Sequence, residues 1–345
     1  MLKQIKNIEI AGISCCVPKN KILNKNNKYH KNIQRTIKAV GIKSRNVADK
    51  KTCTSDLVFV AAKNIIKKLK WKNHDIDVLV FVTQTPDYLT PATSGILQDR
   101  LKLKKTTLVF DINLGCSGYT HGLIAISSLM KSLNLKKGLL AVGDVTTKLV
   151  NKKDCVSNLL FGDAGSVTAI INNENNTENL FCNYFSDGAG YKDIIVPSHS
   201  LSGREKLANN CLVENKDNKK NSRSQINISL NGPNIFNFAI NHVPPILVNI
   251  INEIKNIKYC FLHQANKMIQ VSIEKQINSK KITFPSSLKE FGNTSSATIP
   301  ITICHNYHNQ KLKGYTLLCG FGVGLSISAV VINLEKTKIY KIIKI

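Results

Sequence analysis

The sequence lacks the long apolar runs that membrane proteins need. A helix that crosses a bilayer requires about 18 or more consecutive apolar residues, and the 345-residue chain contains no such run. Its first residues, MLKQIKNIEIAGISCCVP, start with basic residues as a secretory signal does, but Glu9 interrupts the apolar stretch and the pattern alternates as in a strand. We therefore expect no membrane span, a first strand at the N-terminus and a cytoplasmic protein.

The sequence also lacks paired cysteines and metal-binding patterns. Its 10 cysteines include no C-x-x-C pair and no Cys/His spacing of the zinc type. Most stand in apolar runs, such as Cys260 in YCFL and Cys319 in LLCG, where cysteine behaves as a small hydrophobic residue. Scattered thiols of this kind indicate a reducing cytosolic compartment, and neither a disulfide framework nor a bound metal is predicted.

Aromatic and acidic residues are both scarce. Aromatic residues make up 6% of the chain, and 48 Lys and Arg residues against 22 Asp and Glu residues give a formal net charge of +26. Such a charge suits a nucleic acid, a membrane surface or an acidic protein partner. Because basic residues occur throughout the chain without interleaved aromatic residues, nucleic-acid binding is not expected. An acidic protein partner stays open.

Helical and strand-like segments alternate along the chain. Apolar residues at helical spacing in 54–70 precede the apolar run DVLVFVTQT, and this order recurs until a polar stretch at 198–228 interrupts it. A second helix and strand series follows. The alternation predicts an α/β fold with a parallel or mixed sheet covered by helices. We predict an N-terminal half at 1–170, a variable excursion or linker at 171–228 and a similar C-terminal half at 229–345.

One cysteine differs from the others by its position. Cys116 in GCSGYTHGL lies between glycines, after the strand-like LVFDIN and at the start of a helical pattern. Unpaired N–H groups and the helix dipole at such an end favour a thiolate. Cys116 is therefore a candidate nucleophile, although a buried structural cysteine would give the same pattern. His121, in the same predicted helix, is expected on a different face and in a packing role.

His263 and Asn293 are candidate partners for this nucleophile. His263 in HQAN follows the apolar run YCFL, and a structural histidine is the alternative interpretation. Asn293 in FGNTSSA lies in a loop of small polar residues, which is either a plain turn or a hydrogen-bond donor to a developing negative charge. The segment GFGVG at 320–324 joins two strand-like runs and opens no helix, so it predicts an oxyanion-binding N–H and no nucleotide site.

Motifs spread over most of the chain resemble the ketoacyl synthase III family of the thiolase superfamily. The matching segments are VGIKSRNVA at 40–48, TQTPDYLTPATS at 83–94, GCSGYTHGL at 115–123, FGDAGS at 161–166, HQAN at 263–266, FGNTSSATIP at 291–300 and GFGVGLS at 320–326. The resemblance implies a thiolase-like fold, layered αβαβα with two pseudo-equivalent halves. It also implies a homodimer.

The resemblance gives each candidate residue a role. Cys116 corresponds to the acylated nucleophile, and His263 and Asn293 correspond to the pair that assists malonyl decarboxylation and stabilises the enolate. The backbone N–H groups of Cys116 and Val323 would hold the oxyanion. The implied reaction is a decarboxylative Claisen condensation that yields a 3-oxoacyl thioester. Its substrates would be an acyl-CoA or acyl carrier protein and malonyl carrier protein, with no metal or other cofactor.

The Cys-His-Asn set separates the chain from related enzymes. Chain-elongating synthases use two histidines, and thiolases use a second cysteine near the final glycine turn, where Cys319 stands one position out of place. A hydroxymethylglutaryl-CoA synthase is expected to carry an acidic residue near position 84, where this chain has Gln84. A papain-like protease also combines the three residue types, but its local cysteine signature is absent.

The chain departs from the family pattern at two places, the coenzyme A clamp and the gate of the acyl pocket. Arg35 and Ala39 stand where the initiating enzymes carry the tryptophan and arginine that sandwich the adenine of coenzyme A, so the usual clamp is not predicted. Thr90 stands at the gate of the acyl pocket, often a bulky aromatic residue, and would admit a larger or polar acyl group. Lys267 lies in the helix that related enzymes use for carrier docking and is a candidate contact to an acidic carrier protein.

Two other functions stay open at this stage. A Cys116-dependent acyltransferase would pass an acyl group to an alcohol, amine or sugar without decarboxylation. A non-catalytic binding subunit would keep only the fold, although the intact Cys116, His263 and Asn293 argue against it. The acyl chain and the pathway, fatty-acid initiation or a specialised acyl pathway, are not predicted.

Overall fold

The structure of the protein is a computed structural model that describes residues 2–29, 32–175, 178–198, 211–216 and 221–345. Part of the predicted excursion, including much of its polar stretch, lies outside the described residues. Within them the α-helices, in chain order, are α1 (Ile33–Val40), α2 (Thr54–Lys68), α3 (Thr93–Arg100), α4 (Gly118–Ser132), α5 (Gly232–Glu253), α6 (Lys267–Ile277), α7 (Leu288–Phe291) and α8 (Thr298–Tyr307).

The strands form two large sheets and three short two-stranded pairings. In chain order they are β1 (Lys3–Lys6), β2 (Ile8–Val17), β3 (Lys21–Leu23), β4 (Ser44–Asn46), β5 (Val78–Val82), β6 (Leu108–Ile112), β7 (Lys137–Asp144), β8 (Ala164–Asn172), β9 (Asn179–Ser186), β10 (Ile194–Ile195), β11 (Asn215–Lys216), β12 (Ser222–Arg223), β13 (Ser229–Leu230), β14 (Ile257–Leu262), β15 (Tyr315–Gly322), β16 (Ser326–Asn333), β17 (Lys338–Ile339) and β18 (Ile343–Lys344).

Both large sheets are mixed. The seven-stranded sheet has the order β17-β2-β8-β7-β5-β6, with β18 also paired to β2. In it β5 lies parallel to β6 and β7, while β8 runs antiparallel to β7 and β2. The five-stranded sheet has the order β1-β9-β16-β15-β14, with β14 parallel to β15 and β15 antiparallel to β16. The prediction of an α/β fold with mixed sheets is confirmed.

Helices and sheets alternate in five layers. Helices α2 and α3 cover the outer face of the seven-stranded sheet, α4 and α8 lie between the sheets, and α5 and α6 cover the outer face of the five-stranded sheet. The strand residues Val78–Val82 are all buried because helices cover both faces of that sheet. This is the αβαβα arrangement that the resemblance implies.

The strands at each end of the chain belong to the sheet that the opposite half of the chain mainly forms. Strand β1 belongs to the five-stranded sheet, although it lies in the predicted N-terminal half. Strands β17 and β18 belong to the seven-stranded sheet, although they lie in the predicted C-terminal half. The division at 1–170, 171–228 and 229–345 stays a prediction, and the crossed ends tie the two sheets together.

Helix α5 is the one helix of the described residues that is long and apolar enough for a membrane span: it has 22 residues, and an 18-residue window within it has a mean hydropathy of 1.2. Its Asn residues, together with Pro244 and Pro245, interrupt the apolar residues, so the helix contains no unbroken apolar run of the kind that the sequence analysis required for a membrane span. Core helices of water-soluble proteins pass the same test. Phe238, Val243 and Leu247 of α5 pack in the core against α6 and the five-stranded sheet.

Candidate active site

Cys116 lies in the turn between β6 and α4, where the two sheets meet. The hairpin of β15 and β16 reaches it from the other sheet, and Gly322 lies directly against the thiol. A Cβ atom at Gly322 would stand 2.6 Å from Cβ and 2.9 Å from Sγ of Cys116. Its φ of 147° is also one that other residues rarely adopt. The GFGVG segment therefore contacts the thiol, and the prediction that it joins two strands is confirmed.

The surroundings of Cys116 keep it protonated. Burial raises the pKa of the Cys116 thiol to about 11, while the backbone N–H of Val323 lowers that pKa and the Asp144 carboxylate raises it. The expectation that the start of the helix favours a thiolate is therefore wrong for the unliganded site, because removal of water around the sulfur outweighs the N–H groups. A nucleophile in this state needs a proton acceptor.

His263 follows β14 and is 1% exposed. Its Nδ1 lies 2.7 Å from Oγ1 of Thr298, and that hydroxyl donates to the carbonyl oxygen of Ser295 at 3.1 Å. Since the hydroxyl has a single hydrogen, it accepts from Nδ1–H, and Nε2 is left as the acceptor nitrogen. Burial lowers the pKa of His263 to about 3, so the imidazole is neutral.

Asn293 is held by its backbone and oriented by its side chain. Its N–H donates to the carbonyl oxygen of Leu160 at 2.9 Å, and its carbonyl oxygen accepts from the N–H of Gly162 at 3.0 Å. Its Oδ1 accepts from the N–H of Ser295 at 2.9 Å. Because this bond assigns the oxygen, Nδ2 is the amide atom that remains to donate to a substrate.

The segments VGIKSRNVA and FGDAGS, for which no catalytic role is predicted, contact the loop of Asn293. Arg45 of the VGIKSRNVA segment is 5% exposed and donates through Nη1 to the carbonyl oxygen of Phe161 at 2.8 Å. Phe161 begins FGDAGS and forms a β-bridge with Asn293. The side chain of Arg45 also lies against Gly292, where a Cβ atom would be 3.0 Å from its Cγ.

The three predicted residues line one cavity of about 330 Å³. Cys116, His263 and Asn293 belong to its polar part, and the backbone of Val323 also borders it. The other polar lining residues are Gln84, Thr85, Asn113, Thr146, Asn266 and Ser295. The rest of the wall is largely apolar. It includes Leu160, Ile194, Ile228, Leu230, Phe238 and Ile269. A polar reactive end inside an apolar wall suits an acyl chain and the flexible arm of a thioester.

Other predicted positions lie elsewhere. Thr90 is exposed and is not among the residues that line the cavity. His121 also stands outside it, with Nδ1 3.1 Å from the carbonyl oxygen of Ser117. The structure therefore does not bring Thr90 to the acyl site of its own chain, because its loop projects into solvent beside the exposed Tyr88 and Leu89.

Lys267 begins α6 on the side turned away from Cys116. Its aliphatic stem packs on Gly41, where a Cβ atom would stand 2.6 Å from Cβ of Lys267. It lines a second cavity of about 720 Å³ between α1 and α6, together with Lys38, Lys43, Lys289 and one acidic residue, Glu274. Within the described part of the chain, none of these four lysines has a carboxylate within 4.0 Å. We refer to this feature as the lysine cavity.

Sequence reasoning missed three buried residues of the site. Thr298 and Ser295 set the tautomer of His263 and the orientation of Asn293. Asp144 accepts hydrogen bonds from two loops beside Cys116. The sequence signal for Asp144 was an acidic residue directly after the apolar run GLLAVG, where a buried strand ends.

Comparisons with known proteins agree with this geometry. Family models described as 3-oxoacyl-[acyl-carrier-protein (ACP)] synthase III and as the C-terminal region of that enzyme match residues 110–188 and 252–334. A beta-ketoacyl-[acyl-carrier-protein] synthase III of Clostridium perfringens is 30% identical over 96% of this chain and 100% of its own. One from Clostridium tetani is 33% identical over 85% of this chain and 87% of its own.

A solved structure shows the same similarity in three dimensions. The crystal structure of a 3-oxoacyl-(acyl-carrier protein) synthase from Burkholderia xenovorans superposes with a TM-score of 0.90 and is 30% identical. The match covers 100% of this chain and 99% of that chain. The similarity therefore extends over both sheets and over the segments that carry Cys116, His263 and Asn293.

Proposed function

The chain belongs to the 3-oxoacyl-[acyl-carrier-protein] synthase III family, and from this premise we propose that it condenses an acyl group on Cys116 with a malonyl thioester. The product would be a 3-oxoacyl thioester, two carbons longer than the acyl group, together with carbon dioxide. The observation that supports this best is one apolar cavity that holds a thiol, a neutral imidazole and an amide donor.

The first step is acyl transfer to Cys116. The thiol, with its pKa near 11, gives its proton to Nε2 of His263 as the sulfur attacks the acyl carbonyl. The backbone N–H groups of Cys116 and Val323 would hold the oxyanion, and both already act on the sulfur. When the intermediate collapses, the carrier thiol leaves with the proton and a thioester remains on Cys116.

The second step is decarboxylation of the malonyl thioester. Nδ2 of Asn293 donates to the thioester oxygen, so the negative charge of the enolate is stabilised as carbon dioxide leaves. The hydroxyl of Thr298 fits both tautomers of His263, because it accepts from Nδ1–H now and can donate to Nδ1 when the proton stands on Nε2. In that tautomer a neutral His263 donates to the same oxygen.

The third step joins the two fragments. The enolate carbon attacks the acyl carbonyl on Cys116, and the same backbone N–H groups hold the new oxyanion. Collapse releases the 3-oxoacyl thioester, and the Cys116 sulfur regains a proton from solvent. Since the chain and the two thioesters supply every electron pair and solvent supplies the one proton consumed, the reaction needs no metal or other cofactor.

Both substrates would arrive on acidic carrier proteins in the cytoplasm. The net charge of +26 and the lysine cavity beside α6 favour a negatively charged partner. All ten cysteines are free thiols, which suits a reducing compartment. The carrier would deliver its acyl group for fatty-acid biosynthesis or a specialised acyl pathway.

The active protein would be a homodimer that pairs along β6. This strand is an edge of the seven-stranded sheet, and its first residue, Leu108, is 38% exposed. Nearby on the chain, Tyr88 and Leu89 are 62% and 67% exposed. An apolar edge of this kind is normally covered. Thr90 follows these two residues, so the predicted gate would act on the partner's cavity.

Intact-protein mass spectrometry tests the acylation step. The protein is mixed with a panel of acyl-CoA and acyl carrier thioesters, with Cys116→Ser as the matched control. We expect the mass of the protein to increase by one acyl group. Hydroxylamine should remove this group, because it is bound as a thioester. The Cys116→Ser protein should form no such thioester. The same adduct on both proteins, or none with any donor, would contradict the proposal.

A further inference from the structure

Asp144 is a buried carboxylate that the reaction steps above do not use. It is the last residue of β7 and is 0% exposed. Its Oδ1 accepts from the N–H of Gln84 at 2.7 Å, and its Oδ2 accepts from the N–H of Ser296 at 3.2 Å and from the Ser296 hydroxyl at 2.7 Å. Each carboxylate oxygen therefore holds a backbone N–H from a different loop.

The two loops carry groups that flank the thiol. Gln84 lies over Gly115, the residue before Cys116, where a Cβ atom would stand only 2.3 Å from its Oε1. Ser296 lies in the turn whose Ser295 N–H orients the side chain of Asn293. Asp144 thus connects the loop of Gln84, which lies against the residue before Cys116, with the turn that orients the side chain of Asn293.

We propose that Asp144 is a positioning residue for the condensation, which fixes the Asn293 turn relative to Cys116 by binding both loops at once. The inference rests on the proposed function for its role in decarboxylation. Only a carboxylate fits this place, because a side-chain amide would have to point its NH2 group at one of the two backbone N–H groups. Asn at this position therefore releases one loop, although it has nearly the same shape.

The carboxylate also acts on the thiol itself. Its negative charge raises the pKa of Cys116, in the same direction as burial. An ordinary supporting residue would have no such effect, and replacement of the anion by a neutral group should make the thiolate easier to form. Asp144 thus makes the Cys116 thiol harder to ionise, while it positions Asn293 for the decarboxylation step.

The substitution Asp144→Asn separates these effects. We expect malonyl decarboxylation to fall about 100-fold, as for a catalytic group displaced by about 1 Å. The pH midpoint for alkylation of Cys116 by iodoacetamide should move down, so the variant thiol reacts faster near pH 8 although turnover is lower. Decarboxylation at the wild-type rate, or a midpoint that stays or rises, would overturn the inference.

Two further variants exclude general loosening of the site. Ser296→Ala removes the 2.7 Å bond but keeps the charge, so decarboxylation should fall while the alkylation midpoint stays. Asp111→Asn alters a carboxylate that also accepts two backbone N–H groups, from Thr93 and Ser94, but does not act on Cys116. Its alkylation midpoint should equal that of the wild type, and a downward shift there would count against the inference. Alkylation does not require condensation, so it also distinguishes failure of this inference from failure of the proposed function.

Discussion

Helix α6 separates two cavities that differ in construction. On one side Asn266 and Ile269 border the cavity of Cys116, where His263 and Asn293 are buried and hydrogen-bonded to fixed partners. On the other side Lys267 and its neighbours border the lysine cavity, whose charged groups are exposed. Chemistry requires a fixed geometry, whereas attraction of a charged carrier requires only charge near the mouth.

The two sides should respond differently to substitution and to salt. Changes in the cavity of Cys116 should have large effects on single steps at any ionic strength. Changes in the lysine cavity should have small effects that salt removes, because exposed charges are screened within about 10 Å at 0.1 M salt.

Gly322→Ala should abolish acylation of Cys116. The added methyl group would stand within 3 Å of the Cys116 side chain and would require a φ of 147° that alanine avoids. We expect a loss of at least about 100-fold in adduct formation, measured by mass spectrometry, and a lower melting temperature. Gly95→Ala is the matched control, because nothing lies within 4 Å of its added Cβ atom. Normal acylation of the Gly322→Ala protein would show that close packing of Gly322 against Cys116 is not needed for the reaction.

Asn293→Ala should impair decarboxylation and spare acylation. It removes the amide donor but leaves the thiol and its backbone N–H groups in place. Loss of one such donor costs about 100- to 1000-fold in rate. Release of labelled carbon dioxide from malonyl carrier measures decarboxylation, and mass spectrometry measures acylation. Equal losses in both would indicate a collapsed site instead of a missing donor.

The low pKa of His263 predicts loss of stability in acid. Burial lowers this pKa from 6.5 to about 3, so between these values the unfolded chain binds a proton that the folded chain does not. The contribution of His263 to stability is complete above pH 6.5 and is lost as the pH falls toward 3. Between pH 7 and pH 5 the loss is about 2 kcal/mol. Denaturant titrations should show a weaker acid dependence for His263→Gln than for the wild type, and an equal acid dependence for the two proteins would contradict this prediction.

Lys267→Glu should weaken carrier binding without affecting chemistry. We expect KM for malonyl carrier to rise about 3- to 10-fold at low salt and the difference to vanish near 0.5 M salt. Lys67→Glu on α2, across the molecule, is the matched control with the same charge change. An unchanged KM and salt dependence for Lys267→Glu would exclude the lysine cavity as the docking surface.

Much of the fold and the reactive residues could be predicted from the sequence. The five-layer architecture and most helices and strands follow from apolar spacing and from the motifs. Helix α8 was missed because TIPITICHNY is rich in β-branched residues and contains Pro300, which is tolerated only because it lies in the first turn. The partners Thr298 and Asp144 were missed for another reason. Their bonds join residues 35 and 152 positions apart, and no local pattern records such contacts.

A single turnover of pre-acylated protein distinguishes condensation from simple acyl transfer. Protein carrying one acyl group on Cys116 is freed of donor and mixed with carboxyl-labelled malonyl carrier. We predict that each acyl group lost yields one labelled carbon dioxide and one 3-oxoacyl carrier. An adduct that malonyl carrier leaves in place, but that an alcohol or amine removes, would contradict condensation and indicate an acyltransferase that does not decarboxylate.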